Sequence, residues 1–95
     1  MIKKTGHISG EYYNNDNLLL SFLKDNNLSF VNIVKIGIQA NFNDIISFNS
    51  NQEFKIGKTG KLEFDNISID NVKEIIFITE KEQKSTVIID FLYTI

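Results

Sequence analysis

Alternation of apolar and polar residues dominates this chain, and such alternation is typical of β-strands that are buried on one side. The clearest example is STVIIDFLYTI at 85–95, where large apolar residues recur at every second position. Alternation or β-branched enrichment also marks SFVNIVKIGIQA (29–40), DIISFNS (44–50), EFKIG (53–57), KLEFD (61–65), ISI (67–69) and VKEIIFITE (72–80). Short strands separated by turn-forming residues predict a mainly β fold, a small antiparallel β-sandwich of about seven strands.

The segment 29–40 is the longest of the internal strands, and strict alternation assigns its residues to two faces. One face carries Phe30, Val34, Ile36, Ile38 and Ala40, and the other carries Val31, Ile33, Lys35 and Gln39. The predicted turns between strands include Asp65-Asn66 and Asp70-Asn71, because Asp and Asn favour turn conformations.

The first third of the chain is less regular. GHISGEYY (6–13) is compatible with a strand, and DNLLLSFLKDNN (16–27) predicts a short helix with Asp16 or Asn17 as its N-cap. We expect one domain over residues 1–95, with the sandwich core at 28–95. Residues 1–27, the least sandwich-like part, either fold onto the sandwich or extend as an arm, and our hypothesis is an arm that docks on a partner.

The composition of the chain limits the classes of partner that we expect it to bind. The chain has 95 residues, a net charge of −2 and no cysteine, and all ten of its basic side chains are lysines. An acidic chain without arginine gives no reason to expect a nucleic-acid partner, since bidentate reading of phosphates and bases is largely performed by arginine. No run is apolar enough to cross a bilayer, and the polar N-terminus lacks the apolar core of a signal peptide. We therefore expect no membrane partner and no export by the general route.

The segment KIGKTGK (55–61) contains Gly57-Lys58-Thr59, which is the end of a phosphate-binding loop. Such a loop needs another glycine five positions earlier and a helix afterwards, but position 52 is Gln52 and the following KLEFD predicts a strand. The segment is better explained as two strands, Phe54 to Ile56 and Leu62 to Phe64, joined by a turn that Gly57 and Gly60 bracket.

The remaining candidate sites are isolated residues. His7 is the only histidine and has no cysteine to share a zinc ion, so a surface position is expected. Asp65, Asp70 and Asp90 lie near strand ends, where paired carboxylates could act in acid–base catalysis, although turn-capping is the commoner role. YYNNDN (12–17) is rich in oxygen ligands but lacks the spacing of a calcium loop. We expect no catalytic, cofactor-binding or metal-binding residue, and no enzymatic activity.

Asp90 lies within the apolar strand VIIDFLY. Alternation favours a solvent-facing position over a buried one paired with a lysine, yet Ile88 and Leu92 flank it on the same face. An apolar face around one polar residue is typical of a surface that a partner chain covers. The tyrosines Tyr12, Tyr13 and Tyr93 are expected in the core and in an interface, because adjacent tyrosines point to opposite faces of a strand and form no common stacking platform.

An ordered set of motifs carries a family resemblance over roughly positions 34–95. The motifs are VKIGIQA (34–40), ISFN (46–49), FKIGKTGKLEFD (54–65), ISI (67–69) and TVIIDFLY (86–93). In this order they resemble small β-rich proteins encoded among phage tail genes of low-GC Gram-positive bacteria. The chain departs from that pattern after GIQA, where Asn41 to Asp44 replace a Pro/Gly-rich loop, and before the last strand, where only residues 80–85 connect and some relatives have a helical insertion.

The resemblance implies a virion or phage-tail-like particle component near the tail tip or baseplate, made in the bacterial cytoplasm. It implies no catalytic residues. The expected partners are other particle proteins and copies of the same chain, with no small-molecule substrate. Two alternatives stay open: a capsid decoration protein, and a soluble β-sandwich module that binds carbohydrate.

Overall fold

A computed structural model describes residues 2–95 and contains two antiparallel sheets that face each other, with one short helix. The strands are β1 (Lys4–Tyr12), β2 (Val31–Gln39), β3 (Ile45–Phe48), β4 (Gln52–Lys55), β5 (Lys61–Phe64), β6 (Ile69–Val72), β7 (Ile75–Ile78) and β8 (Ser85–Thr94), and helix α1 is Leu20–Asp25. The predicted mainly β, sandwich-like architecture with a short N-terminal helix is confirmed, with eight strands.

The larger sheet has the strand order β1-β8-β2-β5, and β6 also pairs with β2. The smaller sheet has the order β4-β3-β7. The chain therefore begins and ends in neighbouring strands, since β1 pairs with β8 along its whole length from Lys4↔Tyr93 to Tyr12↔Ser85. This unbroken register makes β1 and β8 the most extensive pair in the fold.

The core lies between the two sheets. From the larger sheet it takes the alternate residues of β8 (Val87, Ile89, Phe91 and Tyr93), and from the smaller sheet it takes Ile46, Phe48, Ile75 and Phe77, all of them buried. The rings of Phe54 on β4 and Phe64 on β5 have centroids 4.9 Å apart and join the sheets at one side. At the other side, Phe22 of α1 packs edge-on against Phe91 with ring centroids 5.1 Å apart. The helix thus closes the side of the core next to β1 and β8.

The predicted division of β2 into two faces is wrong in its first half. Val31 and Ile33 are buried together with Ile36 and Ile38, although their positions in the sequence differ by an odd number. The register with β8 shifts between Ile33 and Lys35, so that Val34 is an extra residue, as in a β-bulge. Because the extra residue turns the strand by one position, odd-numbered residues face the core before the bulge and even-numbered residues face it afterwards.

The turn at Gly57 to Gly60 is present, but the strands that it joins do not pair with each other. β4 belongs to the smaller sheet and pairs with β3, whereas β5 belongs to the larger sheet and pairs with β2. Of the two bracketing glycines, only Gly60 has a positive φ, +74°, and a Cβ there would also lie 3.1 Å from the Ala40 carbonyl oxygen. The segment is a connection between sheets and not a hairpin.

The predicted strand boundaries around residue 70 also differ from the structure. Asp70 and Asn71 lie within β6, and the chain leaves the larger sheet at residues 73–74 before β7 begins in the smaller one. Asn49 holds this crossing, because its Oδ1 accepts hydrogen bonds from the backbone N–H groups of Lys73 (2.8 Å) and Glu74 (3.2 Å). The break between the two strands therefore lies at residues 73–74 and not at the predicted Asp70-Asn71 turn.

The N-terminal residues form part of the sandwich. β1 is an integral strand of the larger sheet, and Leu18, Leu19 and Leu23 are buried in the same core. This differs from the expectation that the sandwich core begins at residue 28, because β1 and the leucines supply a sheet edge and one side of the core. That the segment also contacts a partner stays a prediction.

The helix is shorter than predicted and lacks the predicted cap. It begins after Leu19, with no side-chain hydrogen bond at the N-cap position. Asn17 instead accepts hydrogen bonds from the N–H groups of Leu19 (3.1 Å) and Ile75 (3.1 Å), and so ties the start of the helical region to β7. Within residues 2–95 no helix has the length and apolar character needed to cross a membrane.

Candidate functional site

The outward side of the larger sheet carries a depression of about 470 Å³ that we call the outer-face groove. Its floor is Gly37 in the middle of β2, and its walls are outward-facing side chains of the neighbouring strands. These are Thr5 on β1, Ile88, Asp90 and Leu92 on β8, Lys35 and Gln39 on β2, and Lys61 and Glu63 on β5, with Asp65 just beyond. The groove therefore draws on four adjacent strands.

Strand pairing arranges these side chains in rows that run across the sheet. In the central row, His7 lies opposite Asp90, Asp90 opposite Gly37, and Gly37 opposite Glu63. Outward-facing residues in register on adjacent strands have Cβ atoms about 5 Å apart. Gly37 is thus a gap between two carboxylates, and this gap makes the face concave.

Neither backbone conformation nor crowding explains the glycine at position 37. Its φ is not positive, and an added Cβ would come no closer than 3.8 Å to the Glu63 Cγ and 4.0 Å to the Asp90 carbonyl oxygen, which are ordinary contacts. Glycine inside a strand lowers stability by roughly 0.5–1 kcal/mol relative to alanine. The only evident consequence of Gly37 is the open groove above it.

Two aliphatic side chains give the groove an apolar component. Ile88 and Leu92 flank Asp90 on the outward face of β8, and each is only partly covered by its neighbours. No element of the described chain, residues 2–95, packs over this face of the sheet. The sequence-based interpretation of Asp90 as a solvent-facing residue between two apolar ones is confirmed.

Side chains of both charges border the groove, and two close pairs lie among them. His7 Nδ1 lies 2.5 Å from Asp90 Oδ1, with 59% and 68% of the two side chains exposed. Lys35 Nζ lies 3.9 Å from Asp65 Oδ1 and is similarly exposed. Exposed pairs of this kind add little to folding stability. They instead give the groove a pattern of alternating charge that a complementary surface can match.

The three aspartates singled out in the sequence do not come together. Asp65 and Asp90 border the outer-face groove at different rows, while Asp70 lies on β6 with its Oδ1 accepting a hydrogen bond from Ser68 Oγ at 3.4 Å. Across residues 2–95 no three His, Asp or Glu side chains are grouped as a metal site requires. Sequence reasoning missed Asp44, which is 3% exposed and whose Oδ2 has no hydrogen-bond partner.

The oxygen-rich segment 12–17 has a structural role. Asn14 Oδ1 accepts a hydrogen bond from the N–H of Thr79 at 2.9 Å, and Asp16 Oδ2 accepts one from the N–H of Tyr13 at 2.7 Å. These oxygens are therefore engaged by backbone groups of the chain itself. The segment forms a turn at residues 14–15 and then lies along β7.

The tyrosines lie in three different surroundings. Tyr93 is buried, Tyr12 packs at the margin of the core, and Tyr13 is half exposed with Lys84 Nζ 5.4 Å from its ring centroid. Partial burial, and secondarily the Asp16 carboxylate, raise the pKa of the Tyr12 phenol above its usual value. The three rings form no common platform, as the alternation of the strand predicted.

Comparison with known proteins adds no relative. A scan against family models, a search of curated proteins and a search of solved structures each found no match to this chain.

Proposed function

We propose that the protein is a non-enzymatic structural component of a bacteriophage or phage-tail-like particle, in which it binds other particle proteins through the outer-face groove. The observation that carries the proposal is the gap at Gly37, which keeps the middle of an exposed sheet open at a cost in strand stability. A surface kept open in this way favours a binding role over a purely structural explanation of the glycine.

The chemistry of the groove favours a protein as the occupant. Ile88 and Leu92 offer apolar surface on either side of Asp90, and further charged side chains lie around them. Apolar side chains mixed with charged ones are usual in a non-obligate protein–protein interface. The particle role itself, and within it a place at the tail tip or baseplate, rests on the sequence resemblance. Capsid decoration is the alternative that copy number distinguishes.

Replacing Gly37 with valine tests this function. A valine side chain fills the groove without a close contact beneath it, and it suits a strand better than glycine does. We expect the free energy of unfolding to rise by about 0.5–1 kcal/mol. Particles grown with this variant as the sole source of the protein should contain at least about tenfold less of it, which corresponds to ~1.4 kcal/mol of binding free energy.

The matched control is Gly57→Ala, because an added Cβ at Gly57 meets no atom within 4 Å and the residue lies outside the groove. This variant should enter particles at the wild-type level. Thermal unfolding of both purified variants establishes that they fold. A Gly37→Val protein that is folded and incorporated as well as the control would contradict the role of the groove.

A further inference from the structure

The edge strands of the two sheets differ in length and in whether another segment of the chain covers them. β4, β5 and β6 are edge strands of four residues each, and short edges offer little to a pairing strand. β7 is also four residues long, and the chain covers its outer edge. β1, with nine residues, is the longest edge strand of the described chain.

The covering of β7 is thorough. The segment 14–18 runs beside it and forms backbone hydrogen bonds from Asn15 N–H to the Phe77 carbonyl (2.7 Å), from Phe77 N–H to the Asp16 carbonyl (2.9 Å), and from Leu18 N–H to the Ile75 carbonyl (2.7 Å). The backbone N–H and C=O groups that form these bonds cannot also pair with a strand of another chain. The segment 14–18 therefore closes the outer edge of β7.

The outer edge of β1 has no such cover. Among residues 2–95, the backbone hydrogen bonds found outside the regular strand pairings include none from residues 4–12. Of the devices that block an edge, the strand has neither a bulge, since its register with β8 is unbroken, nor a proline. The N–H and C=O groups of alternate residues along β1 are available to another strand.

The sequence of β1, KTGHISGEY, places a glycine two positions to each side of the central Ile8. If a second copy of β1 pairs antiparallel with Ile8 opposite Ile8, then Gly6 lies opposite the second copy's Gly10, and His7 lies opposite its Ser9. The glycines thus meet each other two positions from the centre, where neither carries a side chain that would crowd the second copy. Thr5 lies opposite the second copy's Glu11, and both side chains are on the outward face of the sheet.

Charge along the edge supports the same antiparallel pairing. Lys3 and Lys4 stand at the start of β1, and Glu11 stands near its end. Antiparallel pairing places the basic end of each copy against the acidic end of the other, whereas parallel pairing would set like charges side by side.

We propose that two copies of the protein pair through β1, antiparallel and with Ile8 opposite Ile8 on a two-fold axis, so that the larger sheet continues from one copy into the other. A two-fold contact between identical surfaces is the commonest way in which chains associate. The pairing deepens the proposed assembly role by naming a second partner surface, but it leaves the outer-face groove of each copy open for a different protein.

The test is the oligomeric state of the purified full chain, measured by sedimentation equilibrium. The wild-type protein is expected to form a dimer of twice its 10.9 kDa mass. Thr5→Glu sets two glutamates opposite Glu11 residues and should weaken dimerisation roughly fivefold to tenfold, while Thr5→Lys, with opposite charge at the same exposed position, should strengthen it. The double variant Thr5→Glu, Glu11→Lys restores opposite charges only in this register, and dimerisation should recover.

A protein that stays monomeric at the highest soluble concentration would overturn the inference, including the case in which a strand of another protein occupies β1. A dimer whose affinity is unchanged in all three variants would also overturn the inference, since the contact between the copies would then lie elsewhere. The proposed function fails separately: a monomer found in purified particles refutes only the pairing, and a dimer absent from particles refutes only the particle role.

Discussion

Removal of residues 1–27 is expected to leave a chain that does not fold. The deletion takes away β1, which pairs with β8 over nine residues, and with it Leu18, Leu19 and Leu23 from the core. Full burial of an aliphatic side chain contributes about 1.5–3 kcal/mol to stability. Loss of the three leucines and Ile8 therefore removes a free energy comparable to the roughly 5–15 kcal/mol by which a typical domain is stable. Circular dichroism and amide NMR dispersion of the purified fragment measure the outcome.

The matched control removes only residues 1–3, which precede β1, and this shorter deletion should leave a cooperative thermal transition. A folded fragment 28–95 would contradict the account, because it would mean that the smaller sheet and the remaining strands suffice as a core. In that case residues 1–27 would be free to act as the docking arm that the sequence suggested.

Gly6→Ala is expected to cost about 2–3 kcal/mol and to lower the melting temperature by roughly 10–20 °C. A Cβ at this position would lie 2.3 Å from the Cζ of Phe91, whose ring covers Gly6. The ring has little room to move, since Phe22 and Tyr93 pack against it with centroids 5.1 and 5.6 Å away. Differential scanning calorimetry of the variant measures the effect.

Gly10→Ala is the comparison for this prediction. Gly10 is on the same strand, and the nearest atom to an added Cβ is the Tyr12 hydroxyl at 3.2 Å, the end of a partly exposed side chain that can shift. Its cost should stay below about 1 kcal/mol. Equal destabilisation by the two alanines would show that glycine is needed for strand conformation and not for contact with Phe91.

Local alternation predicted most strands but not their partners. β8 has one buried face throughout, and its sequence indicates this directly. β2 has a bulge at Val34, whose carbonyl accepts a hydrogen bond from Ile67, and nothing in the local pattern distinguishes this residue from an ordinary strand position. The predicted assignment of β2 residues to the two faces was therefore wrong before the bulge and correct after it.

The turn at Gly57 to Gly60 illustrates the same limit. Glycine indicates where a chain can reverse, but the choice between a hairpin and a crossing to the other sheet depends on the partners available to each strand. β5 pairs with β2 because Leu62 and Phe64 then align with Ile38 and Ile36 on the inward face. These contacts are distant in sequence, so turn chemistry alone could not predict them.

The candidate site was only partly visible in the sequence for a related reason. Asp90 and its apolar neighbours suggested a solvent-facing surface that a partner covers; the structure confirms that they face outward, and the partner stays a prediction. Gly37 gave no signal, because its significance depends on Asp90 and Glu63 lying opposite it on two different strands. A groove formed across strands becomes apparent only when the register is known.

The most direct test of the central claim is quantitative peptide mass spectrometry of purified phage or phage-tail-like particles from the source strain. The account predicts that peptides of this chain persist through stringent purification in a fixed ratio to the major tail protein. A low, constant copy number would match a tail tip or baseplate, and a number in proportion to the capsid protein would indicate decoration. Peptides that remain in the soluble cell fraction and are absent from particles would contradict the account.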